Sequence, residues 1–297
     1  MSVRDRPDAE PVAIIGAGSV GCMLAAHLAA AGCDIVICGR APLERVVMTI
    51  DGETVEHKVA WAAEPADLPP LRHAVLATKI HHTTDVNDWL AALPTGSAVL
   101  AAQNGVDHRA RIGPLTAAAI VPTLVYPNAE RTGPGQVRVR RTGRGLVVPD
   151  DDAGRSAAAL FAGSGLEVET TADFPTAAWE KLLYNVIANP LTALTGRPAE
   201  VLHEPEMAAL GLDLALEAVD VARAEGTALT PEHARQALAW LQGLPGTTPS
   251  SMLQDRVAGR RLEHVGLLGP VVALGQRHGV PTPLTRAILA LLDAVSS

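Results

Sequence analysis

Residues 11–21 read Pro11-Val12-Ala13-Ile14-Ile15-Gly16-Ala17-Gly18-Ser19-Val20-Gly21, and the fold class turns on this stretch. The β-branched run Val12–Ile15 predicts a buried strand ending in a glycine turn, and the alanine-rich residues that follow predict a helix over about 20–31. A second apolar run at 34–38 completes a β-α-β unit. Inside that unit Gly16, Ala17, Gly18, Ser19, Val20 and Gly21 match G-x-G-x-x-G. In this pattern the glycines serve a tight turn, a close backbone approach to a pyrophosphate and close helix–strand packing. The pattern alone is weak, but its place between a strand and a helix predicts dinucleotide binding, because the helix amino end offers unpaired N–H donors to phosphates. A carboxylate at the end of the second strand would receive the ribose diol of NAD, whereas this chain has Cys38-Gly39-Arg40. A guanidinium there suits a 2′-phosphate, so NADP(H) is the expected cofactor; a solvated arginine is the alternative. Lys79, just past an apolar run at 74–78, reads either as a second cation for that phosphate or as an ordinary surface lysine.

The same stretch also admits a membrane reading. Pro11–Cys33 contains no Asp, Glu, Lys or Arg and follows Arg4 and Arg6, as a secretory leader or membrane span would. Gly16, Gly18, Ser19, Gly21 and His27 interrupt its middle, which favours strand, turn and helix instead. Cys22, Cys33 and Cys38 form an odd set with no C-x-x-C pair and no His at zinc spacing, so free thiols in a reducing cytoplasm and no metal site are expected. A chain of 297 residues, 48% hydrophobic and 19% charged, is neither disordered nor a disulfide-stapled peptide. A net charge of −8 with 3% aromatics argues against nucleic acid and anionic membranes as partners.

Working outward, residues 85–93 predict a short helix and 98–102 a strand ending in Gln103-Asn104-Gly105. Residues 115–124 and the β-like 133–149 complete this half, the latter as an antiparallel edge. From about Thr171 helical periodicity takes over, with a long helix over 206–225 closed by Gly226, a Thr230-Pro231 helix start and a final helix over 281–297. The expected architecture is therefore α/β, a doubly wound sheet in residues 10–172 followed by an all-helical domain in 173–297, with the cleft between them as the expected ligand site. In the helical half Lys181, Asn185 and Asn189 stand at successive i+4 positions and share one helical face, either solvated or functional.

Several motifs now stand in one order along nearly the whole chain: Gly16 to Gly21, Arg40, Lys79, Gln103-Asn104-Gly105, Trp179-x-Lys181-Leu182-x-x-Asn185-x-x-x-Asn189-Pro190-Leu191-Thr192-Ala193-Leu194, and Ser250-Ser251-Met252-Leu253-Gln254-Asp255 with Glu263 downstream. The set resembles the ketopantoate reductase (2-dehydropantoate 2-reductase) family. That resemblance implies an N-terminal Rossmann-type domain, an all-helical C-terminal domain, and NADPH-dependent reduction of 2-dehydropantoate to pantoate in pantothenate biosynthesis. It also implies that Lys181 is the catalytic lysine, that Asn185, Asn189 and Ser251 hold the substrate and that Glu263 completes the polar site. Asn104 would lie between nicotinamide and substrate, and Arg40 and Lys79 would bind the cofactor phosphate. The residue types suit the chemistry: hydride addition to a ketone builds negative charge on oxygen, which a cationic donor such as Lys181 stabilises and protonates. Glu263 would orient Lys181 or accept a substrate hydroxyl, unless it is an ordinary i,i+3 partner of Arg260. Ser251 offers a hydroxyl to a carboxylate, or else caps a helix.

The chain departs from the family pattern in places. His82 stands for Gln, Thr248 for Asn, Leu262-Glu263-His264-Val265 for Thr-Glu-x-Asp, and Leu268 for Asn. These changes tilt the expected substrate toward an apolar tail, so a paralogous reductase of another 2-oxo acid or imine is the alternative. A non-catalytic NADP(H) sensor would have no use for Lys181, the two asparagines and Glu263. The chain leaves room for a homodimer, although no residue identifies an interface.

Overall fold

A computed structural model of the chain describes residues 10–296; residues 1–9, with Arg4 and Arg6, and Ser297 lie outside them. The chain divides into two compact units, one comprising the residues up to Gln103 together with His108–Phe174, the other Asn104–Asp107 together with Pro175 onward.

The first unit contains, in chain order, β1 (Pro11–Ile15), α1 (Ser19–Ala30), β2 (Asp34–Cys38), β3 (Arg45–Ile50), β4 (Glu53–Lys58), β5 (Ala60–Ala62), β6 (His73–Leu76), α2 (Asn87–Ala91), β7 (Ala98–Ala101) and α3 (His108–Ile112). β8 (Ala119–Pro122), β9 (Leu124–Val125), β10 (Asn128–Gly133), β11 (Gln136–Arg140), β12 (Leu146–Pro149), α4 (Asp152–Ala159) and β13 (Val168–Thr171) follow. Six strands form a parallel sheet in the order β5-β2-β1-β6-β7-β8. Counted within the sheet this is the 3-2-1-4-5-6 order of dinucleotide-binding folds, whose direction reverses beside β1. Register places Val12 opposite Ile35 of β2 on one side and His73 of β6 on the other. Val12 and Ile14 belong to the core on one face and Ala13 and Ile15 to the core on the other, so β1 reads as an unbroken apolar run because both faces are covered.

The expected antiparallel edge at 133–149 takes a different form. β11 joins a separate four-stranded sheet, β10-β11-β3-β4, while β12 sits in a third sheet, β13-β12-β9. The β3–β4 hairpin was not expected, although Asp51-Gly52 is its turn, with φ of 52° and 85°. Asp-Gly between two β-branched runs is the strongest short-range hairpin signal.

The second unit contains α5 (Phe174–Thr195), α6 (Pro205–Ala224), α7 (Pro231–Gln242), α8 (Ser251–Val257), α9 (His264–His278) and α10 (Pro283–Val295). Leu182, Leu183, Val186 and Ile187 of α5 pack with Leu214 and Ala218 of α6, Val271 of α9 and Leu292 of α10 in one apolar core. Val106, far upstream in sequence, packs against that same core. The Glu217 carboxylate caps α10 by accepting from the Leu284 and Thr285 amides at 2.9 and 2.8 Å. No described helix is long and apolar enough to cross a membrane, and the uncharged run 11–33 folds as β1, the turn and α1.

Candidate active site

In the first unit the three glycines of the turn have distinct surroundings. Gly16 adopts φ +106°, and a Cβ on it would lie 2.6 Å from the Thr78 amide nitrogen. A Cβ on Gly21 would lie 2.0 Å from the Gly16 carbonyl oxygen, so α1 rests directly on the turn. Around Gly18, by contrast, a Cβ would meet nothing within 4 Å. Gly18 is also the N-cap of α1, no side chain caps the helix amides there, and its first turn holds no acidic residue. Open space in front of uncapped N–H groups fits a phosphate.

Arg40 follows β2, exposed and without an ion-pair partner among the described residues; the Trp61 indole donates to the Gly39 carbonyl at 2.7 Å and fixes the backbone before it. Lys79 is half-buried just past β6, its carbonyl accepting from the His82 amide at 2.9 Å. Sequence reading assigned no role to Gln103, yet its buried amide ties the segments after β6 and β7 together. Its Nε2 donates to the Thr78 carbonyl, the Thr78 hydroxyl and the Thr83 hydroxyl, each at 3.0 Å, while Arg111 donates to its Oε1. The His108 ring meets the Gln103 carbonyl at 2.7 Å. A Gln ahead of Asn-Gly at a strand end was the available signal, because a buried amide must find partners for both its ends.

In the second unit Lys181 Nζ donates to Asn104 Oδ1 at 3.3 Å. Desolvation, opposed in part by the Glu263 carboxylate, brings the Lys181 ammonium down to about 8. Glu263 is 7% exposed and forms the N-cap of α9. Arg260 pairs with Asp255 at 2.9 Å. On the same α5 face as Lys181, Asn189 Nδ2 donates to Asn185 Oδ1 at 3.2 Å. Asn189 Oδ1 in turn accepts from the Ser251 hydroxyl and the Met252 amide, both at 3.4 Å. With Asn185 Oδ1 engaged by Asn189, its NH₂ is the end left to donate to a ligand. Ser250, not Ser251, caps α8: it accepts from the Leu253 amide at 3.1 Å and lies 2.6 Å from the Thr192 hydroxyl. Ser251 is exposed at the first position of the helix. Lys181 of α5 thus meets Asn104, which follows β7, and feels Glu263 at the start of α9, while Asn185 and Asn189 of α5 group with Ser251 of α8.

The departures from the family pattern have a physical place too. Leu262 and Leu268 are 2% and 0% exposed in the helical core, and Val265 is 54% exposed. Thr248 accepts from the Ala199 amide through its carbonyl, and His82 meets Asp85 at 2.6 Å. The two leucines pack in the helical core. The thiols are free; burial pushes Cys22 up to about 11 and Cys38 to about 12, leaving both unreactive.

Two family models match the chain, one described as Ketopantoate reductase PanE/ApbA over residues 12–150 and its C-terminal counterpart over residues 173–296. The chain belongs to the ketopantoate reductase family. Among relatives, a 2-dehydropantoate 2-reductase of Caulobacter vibrioides is 35% identical over 290 residues, covering 96% of this chain and 99% of its own. Its counterpart in Mycobacterium tuberculosis is 33% identical over 294 residues, covering 96% and 97%. A PanE/ApbA family ketopantoate reductase from Ralstonia eutropha superposes with TM-score 0.87 at 30% identity, covering 96% and 98%. A dimeric ketopantoate reductase from Staphylococcus aureus superposes with TM-score 0.85 at 25% identity, covering 96% and 98%.

Proposed function

We propose that this chain reduces 2-dehydropantoate to pantoate with NADPH, the reductive step of pantothenate biosynthesis. The observation that carries this reading is the half-buried Lys181, its ammonium held by Asn104, influenced by Glu263 and sharing a helical face with Asn185 and Asn189. The relatives named 2-dehydropantoate 2-reductase support the choice of substrate. On this reading residues 10–172 bind the cofactor and 173–297 bind the substrate, with Asn104 between nicotinamide and substrate. The Gly16–Gly21 turn and the α1 amides receive the pyrophosphate, and Arg40 and Lys79 receive the 2′-phosphate. Bound NADPH supplies a hydride to the 2-oxo carbon. Lys181 hydrogen-bonds the substrate oxo group, stabilises the charge that develops on it and delivers the proton. Glu263 favours the charged lysine and accepts a substrate hydroxyl. The Asn185 amide and the Ser251 hydroxyl donate to the substrate carboxylate, and Asn189 keeps Asn185 facing the right way. The free thiols support a cytoplasmic setting, and the dimeric Staphylococcus aureus relative supports a homodimer.

Initial rates of NADPH oxidation at 340 nm with a panel of 2-oxo acids test this reading. Expected is a kcat/KM for 2-dehydropantoate above that for 2-oxoisovalerate, which lacks the hydroxymethyl group. The reverse order overturns the substrate assignment and leaves the paralogous reductase. Charge-assisted hydrogen bonds of roughly 1.5–3 kcal/mol imply about a ten- to hundredfold preference for NADPH over NADH. Arg40→Ala should bring the two cofactors close to parity with little change in the NADH rate; equal use of both by the wild type overturns the cofactor assignment.

The pH dependence follows from the ammonium. A donor near 8 is charged below that pH and loses its proton above it, so kcat should be flat at pH 6–7 and fall about tenfold per pH unit well above 8. Because Glu263 raises the lysine, Glu263→Gln should move the falling limb to lower pH. A limb that stays in place in that variant would remove Glu263 from the proton chemistry.

A further inference from the structure

Glu263 sits at the junction of a loop and α9, and both of its chain neighbours are held by the far end of the molecule. On one side the Leu262 amide donates to Ser296 Oγ at 3.2 Å. On the other, the His264 ring meets Asp293 Oδ1 through Nε2 at 2.7 Å. A carboxylate only accepts, so Nε2 carries the proton in this contact. Asp293 and Ser296 belong to the last turn and C-cap of α10. His264 is 3% exposed and Leu262 2%, so the residues flanking Glu263 are fixed by packing as well as by these bonds. Glu263 makes no side-chain cap bond to the α9 amides, and its carboxylate acts on Lys181. The loop before it needs such an anchor. It turns at Gly259, φ +63°, and runs through the exposed Arg260 and Arg261 before reaching Leu262.

We propose that the C-terminal helix α10 is a positioning element for the reaction: Asp293, through His264, and Ser296, through the Leu262 amide, together hold Glu263 at the working distance from Lys181. The inference rests on the function proposed above and names residues that touch neither substrate nor cofactor. A charge acts over a distance that must be kept, and bonds on both chain neighbours of Glu263 fix the place and direction from which its side chain starts. The same family position x in Thr-Glu-x-Asp is His264 here, so the clamp is built from a residue that the family pattern leaves free.

The test separates positioning from mere stability and from failure of the proposed activity. In protein labelled with ¹³C at the lysine ε-carbons, the Lys181 resonance, assigned by its loss in Lys181→Ala, is titrated without cofactor or substrate, alongside kcat and KM where activity is found. Glu263 is the charged group that raises the ammonium and Asn104 accepts its hydrogen bond, so the titration is sensitive to the carboxylate. Asp293→Ala removes an exposed carboxylate and should leave the fold intact. It should lower the Lys181 midpoint by about half a pH unit and kcat by about threefold above pH 8, with KM for NADPH unchanged. His264→Leu should do the same, while His264→Gln, which can still donate to Asp293, should restore most of the loss. In a Glu263→Gln background Asp293→Ala should have no further effect on the midpoint, because effects that run through one residue are not additive. An unchanged midpoint in both Asp293→Ala and His264→Leu, or an equal drop in the Glu263→Gln background, overturns the proposal. Absence of reductase activity in the wild type with the expected midpoint shifts intact would instead count against the proposed substrate alone.

Discussion

Lys181→Ala should lower kcat by roughly 10²–10⁴, the range for loss of a general acid, with NADPH affinity close to that of the parent enzyme. The ammonium is held by Asn104 and acted on by Glu263 in the helical unit, whereas the glycine turn, Arg40 and Lys79 belong to the other unit. Loss of the donor should therefore appear in kcat and kcat/KM alike and leave cofactor titration unchanged. Lys181→Arg is a sharper variant, since a guanidinium keeps the charge but stays protonated throughout the working pH range. It should recover some substrate affinity and little turnover, and its rate should show no fall near pH 8. Stopped-flow measurement of the hydride step with saturating NADPH checks both. A Lys181→Ala enzyme within a few-fold of wild-type turnover would remove the lysine from the chemistry.

The glycine turn gives the second large effect, and its positions should fail in different ways. Gly21→Ala places a methyl carbon 2.0 Å from the Gly16 carbonyl oxygen, a backbone atom that cannot rotate away. α1 must lift from the sheet, at a cost of about 1–3 kcal/mol for overpacking, so the melting temperature falls and NADPH binds at least about tenfold more weakly. Gly18→Ala meets nothing within 4 Å, so the protein should melt as the wild type does. NADPH affinity should nevertheless fall by about tenfold or more, because the methyl group enters the open space where the pyrophosphate is proposed to bind. Thermal melts and NADPH fluorescence titrations on the two variants separate these cases. A Gly18→Ala protein that binds NADPH like the wild type would mean that the pyrophosphate does not approach at this point.

What could be read directly from the sequence was local. Val12–Ile15, the glycine spacing and the run at 34–38 lie within thirty residues, and the parallel sheet with its 3-2-1-4-5-6 order grows from that unit. The i+4 spacing of Lys181, Asn185 and Asn189 was equally local, and the three do share one face of α5. Pairings between distant segments were not legible. β11 aligns parallel to β3, Gln136 opposite Val47, and neither periodicity nor propensity distinguishes this from an edge of the main sheet. Asn189 has its partner in the α8 amide of Met252, which spacing along α5 could not show. Leu262 and Leu268 show a related limit: sequence alone does not tell whether a hydrophobic residue in place of a polar one packs in a core, as both do here.

Asn104–Asp107 closes the account of how this chain is wired. These four residues lie between β7 and α3 of the first unit yet belong to the second, where Asn104 meets Lys181 and Val106 covers the helical core. The polypeptide therefore does not hand over once from one unit to the other; it visits the second early, returns, and only then commits to it. A gene cut at residue 173 would deliver a helical fragment missing its own Val106 plug and the Asn104 amide that meets Lys181, and an N-terminal fragment carrying both without the unit they belong to. With such interleaving, a helical unit grafted from residue 173 onward lacks part of its own core and a hydrogen-bond partner of Lys181.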